Sequence, residues 1–388
     1  MTRRTHFQPS DLRGFASLAK DATTGLTDLV EAMHGAIARR DGSNGSHAIA
    51  GLVYRSIRGV TRRVGGGVDA LLSLLTPTLR GRASSPGREV VLAALNGVLG
   101  DYLAASGNPL AIKMSLRRDG LPFEPAKHGR RIAVLVHGLC MSDLQWKRSG
   151  HDHGACLARD LGYTPVYLYY NSGLHVSVNG RAFAAVLEQM ARKSALPIEE
   201  LIVVAHSMGG LVTRSACHYG AQAGHAWPAQ LKSIMFLGTP HHGAPLERGG
   251  NWVDIILGAT RYARPFARLG KIRSAGITDL RYGNLLDEDW AGRDRFARAR
   301  DARRHVPLPE GVRCCAIAAS TSRESSTLKE RLLGDGLVPL ASALGQHKVP
   351  ARSLAFPARQ QWVGRGMNHL DLLSSRAVYA RMRTFLGR

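Results

Sequence analysis

A parallel, doubly wound α/β sheet preceded by a helical segment is the fold class the sequence predicts. Two observations predict it. From about residue 126 onward, short runs of β-branched and apolar residues alternate with helical patterns. Within that region the run Leu201-Ile202-Val203-Val204-Ala205 stops at Ala205-His206-Ser207-Met208-Gly209, and a helical pattern follows through Leu211, Val212 and Ala216. A buried strand therefore turns sharply into a helix at a serine. The demand at such a corner is steric. The serine backbone is strained, so the residues two before and two after it must be small, as Ala205 and Gly209 are. The corner lifts the hydroxyl clear of the sheet and aims the start of the helix at whatever the hydroxyl meets.

The rest of the chain is read around that corner. Residues 1 to about 125 carry helical periodicity and no strand pattern. Ser10 caps a first helix with Leu12, Phe15, Ala19, Leu26, Leu29, Met33 and Ile37 on its apolar face. After the break at 41–46, a second carries Leu52, Val53, Ile57, Val60 and Val64, opposite Arg55, Arg58, Arg62 and Arg63. A third runs through Leu71 and Leu75 to Pro77, and Ser85-Pro86 starts a fourth. Beyond it, strands are expected at Arg131–Val136, Pro165–Tyr170, Leu201–Ala205, Leu231–Leu237, Val312–Ala319 and Ser353–Phe356. Helices are expected over Ala182–Ala191 and around Ala377–Phe385. Residues 1–125 thus read as a helical N-terminal region and 126–388 as the α/β domain.

Composition bounds the function. In 388 residues, 52 Lys and Arg against 29 Asp and Glu give a net charge of +23, which draws the protein towards polyanions. Aromatic residues are only 6% and no nucleic-acid motif is present, so no nucleic-acid partner is expected. No apolar run reaches spanning length, and no apolar stretch follows the basic start, so neither a transmembrane helix nor a secretory leader is expected. The five cysteines, Cys140, Cys156, Cys217, Cys314 and Cys315, have no framework spacing and point to a reducing cytoplasm. His151-Asp152-His153 has no third or fourth ligand at usable spacing and reads as a solvated loop rather than a metal site. No metal and no cofactor are expected.

A serine hydroxyl needs a base to take its proton and an acid to orient that base. In a sheet of this type the chain order is Ser, then Asp or Glu, then His. Asp335, between Gly334 and Gly336 and after the strand ending near Ala319, is the candidate acid. Asp287, Glu288 and Asp289 precede that strand and are rejected. His369, after the last strand and before the closing helix, is the candidate base, with Asp371 assigned to the helix start. The backbone N–H groups of Met208 and of Leu139, in His137-Gly138-Leu139-Cys140, are the candidate oxyanion donors. His137, Gly138, Gly209, His241 and His242 are candidate substrate contacts, the last two read as shaping their loop rather than acting on substrate.

The segments Val136-His137-Gly138-Leu139, Ala205 to Gly210, Gly238-Thr239-Pro240-His241-His242-Gly243, Asp335-Gly336 and Asn368-His369 together resemble the α/β-hydrolase superfamily. Within it they are similar to bacterial triacylglycerol lipases and GPI-inositol-deacylase-like esterases. The resemblance implies a Ser207–Asp335–His369 triad, oxyanion donors at Leu139 and Met208, and ester hydrolysis through an acyl-enzyme. It does not reach the helical region before 126. Between about 244 and 310 lies an insertion longer than a routine crossover, read as a lid or cap. There Trp252, Ile255, Ile256, Leu257, Phe266 and Leu269 accompany Arg261, Arg264, Arg268 and Lys271, which suits contact with an anionic membrane or a lipid inclusion. The expected function is hydrolysis of a lipid-like acyl ester by a cytoplasmic enzyme. A thioesterase or acyltransferase on the same residues, and a lipid-surface or nucleic-acid binding protein on a hydrolase scaffold, are the alternatives.

Overall fold

The computed structural model describes residues 10–11, 13–14, 16–18, 21, 86–126, 128–244, 274–295, 301–323 and 334–387. The helices expected over 22–77, with the basic strip at Arg55–Arg63, lie outside the described residues, as do the apolar and basic strips at 252–271. The chain divides into two compact units, Met1–Arg88 with Leu103–Ala111, and Glu89–Tyr102 with Ile112–Arg388. In the first, the Arg88 guanidinium grips Asp11 with two bonds, Nε and Nη2 each 2.6 Å from a carboxylate oxygen.

The second unit is built on an eight-stranded sheet. Its strands are β1 (Ser115–Arg118), β2 (Leu121–Pro122), β3 (Arg131–Val136), β4 (Thr164–Tyr169), β5 (Glu200–His206), β6 (Leu231–Leu237), β7 (Arg313–Ser320) and β8 (Gln361–Arg365), in the order β2-β1-β4-β3-β5-β6-β7-β8. From β4 to β8 all pairings are parallel; β1 runs antiparallel to β2 and β4. The central strands are buried on both faces, as parallel strands between helices must be. Alternate residues accordingly feed two separate cores. Val134, Val203, Phe236 and Ala316 join one core, with Phe183, Leu187, Leu211 and Val212. Leu135, Val204, Met235 and Ile317 join the other, with Leu157, Val378, Met382 and Phe385.

The first core is covered by α1 (Pro86–Ala105) through Ala94 and Val98, by α3 (Val176–Lys193) and by α4 (Met208–Gln222). The second is covered by α2 (His153–Leu161) and α7 (Arg376–Leu386), while α5 (Ala275–Asp279) and α6 (Leu340–Ala343) are short turns in the loops. Among the described residues no helix is long and apolar enough to cross a membrane.

Two expectations about strands are corrected. The region before 126 is not free of strands, because β1 and β2 form a hairpin at the sheet's edge. The pair Asp119-Gly120 makes the turn at φ 53° and 76°, the left-handed geometry that two-residue hairpins require. Ser353–Phe356 is not a strand. Leu354 and Phe356 do alternate inward, but the Leu354 N–H goes to Gly345 O (2.8 Å) and that of Phe356 to Leu354 O (2.9 Å), so the backbone is committed to a loop. The last strand is Gln361–Arg365, a half-buried edge strand whose polar composition hides it from a search for apolar runs.

Helix α3 also starts earlier than expected, at Val176. A buried carboxylate far along the chain makes this possible. Asp279 Oδ2 accepts from Val176 N–H (2.8 Å) and lies 3.0 Å from His175 Nδ1, while its Oδ1 accepts from Asn284 Nδ2 (3.0 Å). Removing it strands buried donors. Asp279→Ala is therefore expected to lower stability by about 3 kcal/mol, measured as a fall in the urea midpoint at unchanged slope.

Candidate active site

Strand β5 delivers Ser207 to the carboxyl edge of the sheet, and the backbone there is strained: Ser207 has φ 55° and ψ −128°. An L-residue holds such a conformation only when its surroundings impose it. The Ser207 N–H donates to Leu237 O (2.8 Å), which ties the corner to the end of β6. Close packing completes the constraint. A Cβ on Gly209 would lie 2.5 Å from Val136 O and 2.6 Å from His137 O, and one on Gly210 would lie 2.0 Å from Thr239 Oγ1. Helix α4 can start where it does only because both positions lack side chains. Ser207 is 2% exposed, and its Oγ makes no hydrogen bond among the described residues.

Asp335 stands in the loop after β7 and His369 in the loop after β8. Their side chains meet, with His369 Nδ1 2.6 Å from Asp335 Oδ2, and both residues are 2% exposed. The other carboxylate oxygen is fixed by Leu337 N–H (3.0 Å) and Val338 N–H (2.8 Å), and the His369 N–H donates to Asp335 O (3.2 Å). A carboxylate at Nδ1 makes that nitrogen the donor and leaves Nε2 as the basic one. The His369 ring lies against Gly238 at the end of β6, where an added Cβ would come within 3.1 Å of Cε1 and Nδ1. It also packs against His206, the residue before the serine, at 4.6 Å between ring centroids. The rejected acids are engaged elsewhere: Asp287 with Arg181, and Asp289 with the Leu285 and Leu286 N–H groups. Asp371 Oδ2 accepts from Asn368 N–H (2.9 Å), closing the turn that carries His369.

The turn after β3 faces the serine. A Cβ on Gly138 would lie 2.9 Å from Ser207 Cβ and 3.4 Å from its Oγ, so only glycine leaves room there. Leu139 and Met208 are buried, and Met208 opens α4, where first-turn N–H groups have no partner within the helix. Cys140, at φ 58°, donates its N–H to Ser172 Oγ (3.0 Å). His137 is buried against Tyr170 (4.3 Å between ring centroids), with Nδ1 2.8 Å from Gly138 O. His241 and His242 are set into the wall of their loop. His241 packs on Phe236 and Phe356 beside Arg214, and His242 Nε2 lies 2.9 Å from Gly345 O while Arg303 donates to its Nδ1 (2.9 Å).

His151-Asp152-His153 is not a solvated loop, and this expectation is corrected. Asp152 caps α2, accepting from Gly154 N–H (2.8 Å), Ala155 N–H (3.2 Å) and the Tyr167 hydroxyl (2.8 Å). His153 is fully buried, with Nε2 2.9 Å from Leu372 O. A cap needing a carboxylate and a neighbour needing a core position explain the pattern without a metal. Among the described residues no group of three or more His, Cys, Asp or Glu is placed to hold a metal ion.

Sequence reasoning passed over two supports of the site. His206 precedes the serine, against the Ser–Asp–His order, and no role follows for it from the sequence, yet its Nε2 lies 3.1 Å from the carbonyl oxygen of His369 and steadies that loop. The Tyr170 hydroxyl donates to His137 O (2.8 Å) and, with Ser172, braces the turn facing Ser207. The only available signal was a polar run, Tyr170-Asn171-Ser172, directly after a buried strand.

The sheet order, the strained serine corner and the loops meeting over it define the class of structure: the chain resembles the α/β-hydrolase superfamily. Within that class, residues 174–305 match the family described as PGAP1-like alpha/beta domain. No curated protein matches the sequence significantly. Among solved structures the chain is similar to a Bacillus licheniformis lipase in mature form, at 17% identity over 71% of this chain and 97% of that one, TM-score 0.43. It is similar to Aspergillus fumigatus lipase B at 12% identity over 70% and 55% of the two chains, TM-score 0.41. It is also similar to an esterase of the archaeon Pyrobaculum calidifontis at 13% identity over 82% and 95%, TM-score 0.40.

Burial holds several of these histidines neutral. It pushes both His137 and His153 down to about 4, and it carries His206, beside His369, well below the ordinary range. An unfolded imidazole titrates near 6.5, so between about pH 6.5 and 4 the unfolded chain binds more protons than the folded one. The stabilisation is complete above about 6.5 and is lost as pH falls to 4, about 3 kcal/mol for each of the two rings. Urea midpoints measured from pH 7 down to 4.5 should fall steadily. His153→Gln, which keeps a donor for Leu372 O but cannot titrate, should flatten the fall.

Proposed function

We propose that the protein is a serine hydrolase that cleaves carboxylic esters through an acyl-enzyme. The observation that carries this reading is the buried 2.6 Å contact of His369 with Asp335, the His369 ring packed on His206, the residue before a serine whose backbone is strained into the corner. In the proposed reaction Ser207 Oγ attacks the ester carbonyl while His369 Nε2 takes its proton. Asp335 holds the ring in the tautomer that makes Nε2 basic and stabilises the imidazolium that forms. The N–H groups of Met208 and Leu139 receive the oxyanion, and Gly138 lets the substrate approach. The tetrahedral species collapses, the alcohol departs with the proton from Nε2, and water then enters by the same route to release the acid.

A lipid-like acyl ester is the proposed substrate class, on the strength of the apolar residues at 252–269 beside arginines in the insertion and the net charge of +23. Five free cysteines suit a reducing, cytoplasmic setting.

A fluorophosphonate probe should label the wild-type chain and leave Ser207→Ala unlabelled; wild-type protein that stays unlabelled removes the hydrolase reading. Asp335→Asn should fold normally and lose on the order of 10³–10⁴ in kcat, because the ring then settles in the wrong tautomer. In a series of nitrophenyl esters, kcat/KM should rise with acyl length to eight carbons or more; a peak at acetate would exclude the lipid substrate and leave a short-chain esterase.

A further inference from the structure

Behind the wall loop lies a cleft that the proposed reaction does not use. It is bounded by α4, by residues 241–242, by the 283–285 turn, by residues 303–306 and by Arg352, and it is open to solvent. Among the described residues four arginines, Arg214, Arg303, Arg304 and Arg352, line it with His241 and His242, and no carboxylate does.

Arg214 is the unusual member. It is 3% exposed, and no carboxylate pairs with it among the described residues. Its Nη2 donates to Val306 O and its Nη1 lies 3.5 Å from His241 Nδ1, while its Nε has no partner among the described residues. His241 is fully buried beside it, and its Nε2 likewise has none. An unpaired guanidinium in a protein interior is costly, and two buried nitrogens without partners add to the cost. Burial and the charge of Arg303 together push Arg214 down to about 9, and burial next to Arg214 takes His241 well below its ordinary range.

The other arginines are positioned rather than neutralised. Arg303 donates to His241 O (2.9 Å), Gly283 O (3.2 Å) and His242 Nδ1 (2.9 Å), which stitches the walls together. One carboxylate, Asp301, serves both Arg303 (3.2 Å) and Arg352 (3.0 Å), with His347 3.8 Å away. Arg304 is exposed at the mouth, its backbone N–H bonded to Asp289. Four preset arginines against two nearby carboxylates, Asp301 and Asp289, leave net positive charge and form a site for an oxyanion, since planar guanidinium forks match the oxygens of a phosphate.

We infer that this cleft binds a phosphate group, which supplies the counter-charge that no described residue gives Arg214. Arg214 stands seven residues after Ser207 on the same helix, about 10 Å along it, so the phosphate lies apart from the serine. It would brace the loop whose first residue, Gly238, backs the His369 ring.

The test uses the full-length chain at fixed ionic strength, with chloride exchanged for inorganic phosphate while the melting temperature is followed. The melting temperature should rise saturably in the wild type and equally in Ser207→Ala. Arg214→Gln should abolish the rise. Because that variant exposes the buried wall to misfolding, Arg304→Gln at the mouth serves beside it and should weaken phosphate roughly ten- to hundredfold, the loss of one charge-assisted bond.

Glycerol 3-phosphate and vesicles of phosphatidylcholine with or without phosphatidic acid identify the source. Equal protection by phosphate and glycerol 3-phosphate without vesicle retention indicates a soluble phosphate. Retention by phosphatidic acid that inorganic phosphate reverses indicates a lipid headgroup. The inference fails if phosphate stabilises no better than chloride, if Arg304→Gln and Arg214→Gln respond like the wild type, or if fluorophosphonate labelling at Ser207 abolishes the effect.

Discussion

The meeting of His369 with Asp335 is the contact on which the rest of the site depends. Two loops, from two neighbouring strands, must each deliver a polar side chain to one buried point. Burying an ionisable pair is favourable only when the geometry is good and the remaining polar atoms are satisfied. The carboxylate meets both conditions: its second oxygen is saturated by two backbone N–H groups, and the histidine backbone is tied at its N–H to Asp335 and at its carbonyl to His206. The ring is fixed by its bond at Nδ1, by the ties of its own backbone and by contact with Gly238, so its orientation is settled by the fold before any ligand arrives.

That contact needs a rigid platform, which the sheet supplies. Strands β3, β5, β6 and β7 are sealed on both faces by two cores, and their carboxyl ends carry the turn at Gly138, the corner at Ser207, the Gly238 loop and the path to Asp335. The strain at Ser207 is held by the same packing, because Gly209 and Gly210 press on β3's end and on Thr239. Neutral buried histidines beside the site, His137, His153 and His206, are part of this platform, and burial makes them behave as shaped aromatic residues above their titration range.

Much of this is legible in the amino-acid order, for reasons that differ by element. Strand β5 and its turn are visible because the steric demand at a strand-to-helix corner falls on adjacent residues. Asp335 and His369 are named by chain order and by glycines that let loops bend, and the structure places the two in contact. What escapes the sequence is either polar or distant. Strand β8 sits at the sheet's edge and lacks an apolar run, while the buried Leu354 and Phe356 imitate one in a loop. The start of α3 depends on Asp279, a residue far along the chain, and no local pattern announces such a cap. The β1–β2 hairpin did leave a signal in Asp119-Gly120, which the helical reading of that region overrode.

The central claim is that Ser207 carries the acyl group during turnover. It is tested most directly by acid-quenching the protein during steady-state incubation with a nitrophenyl acyl ester and mapping the peptides by mass. The prediction is a population of the Ser207 peptide heavier by one acyl group, absent from Ser207→Ala. Rapid hydrolysis with that peptide unmodified, and the acyl group on another residue or on none, would contradict it.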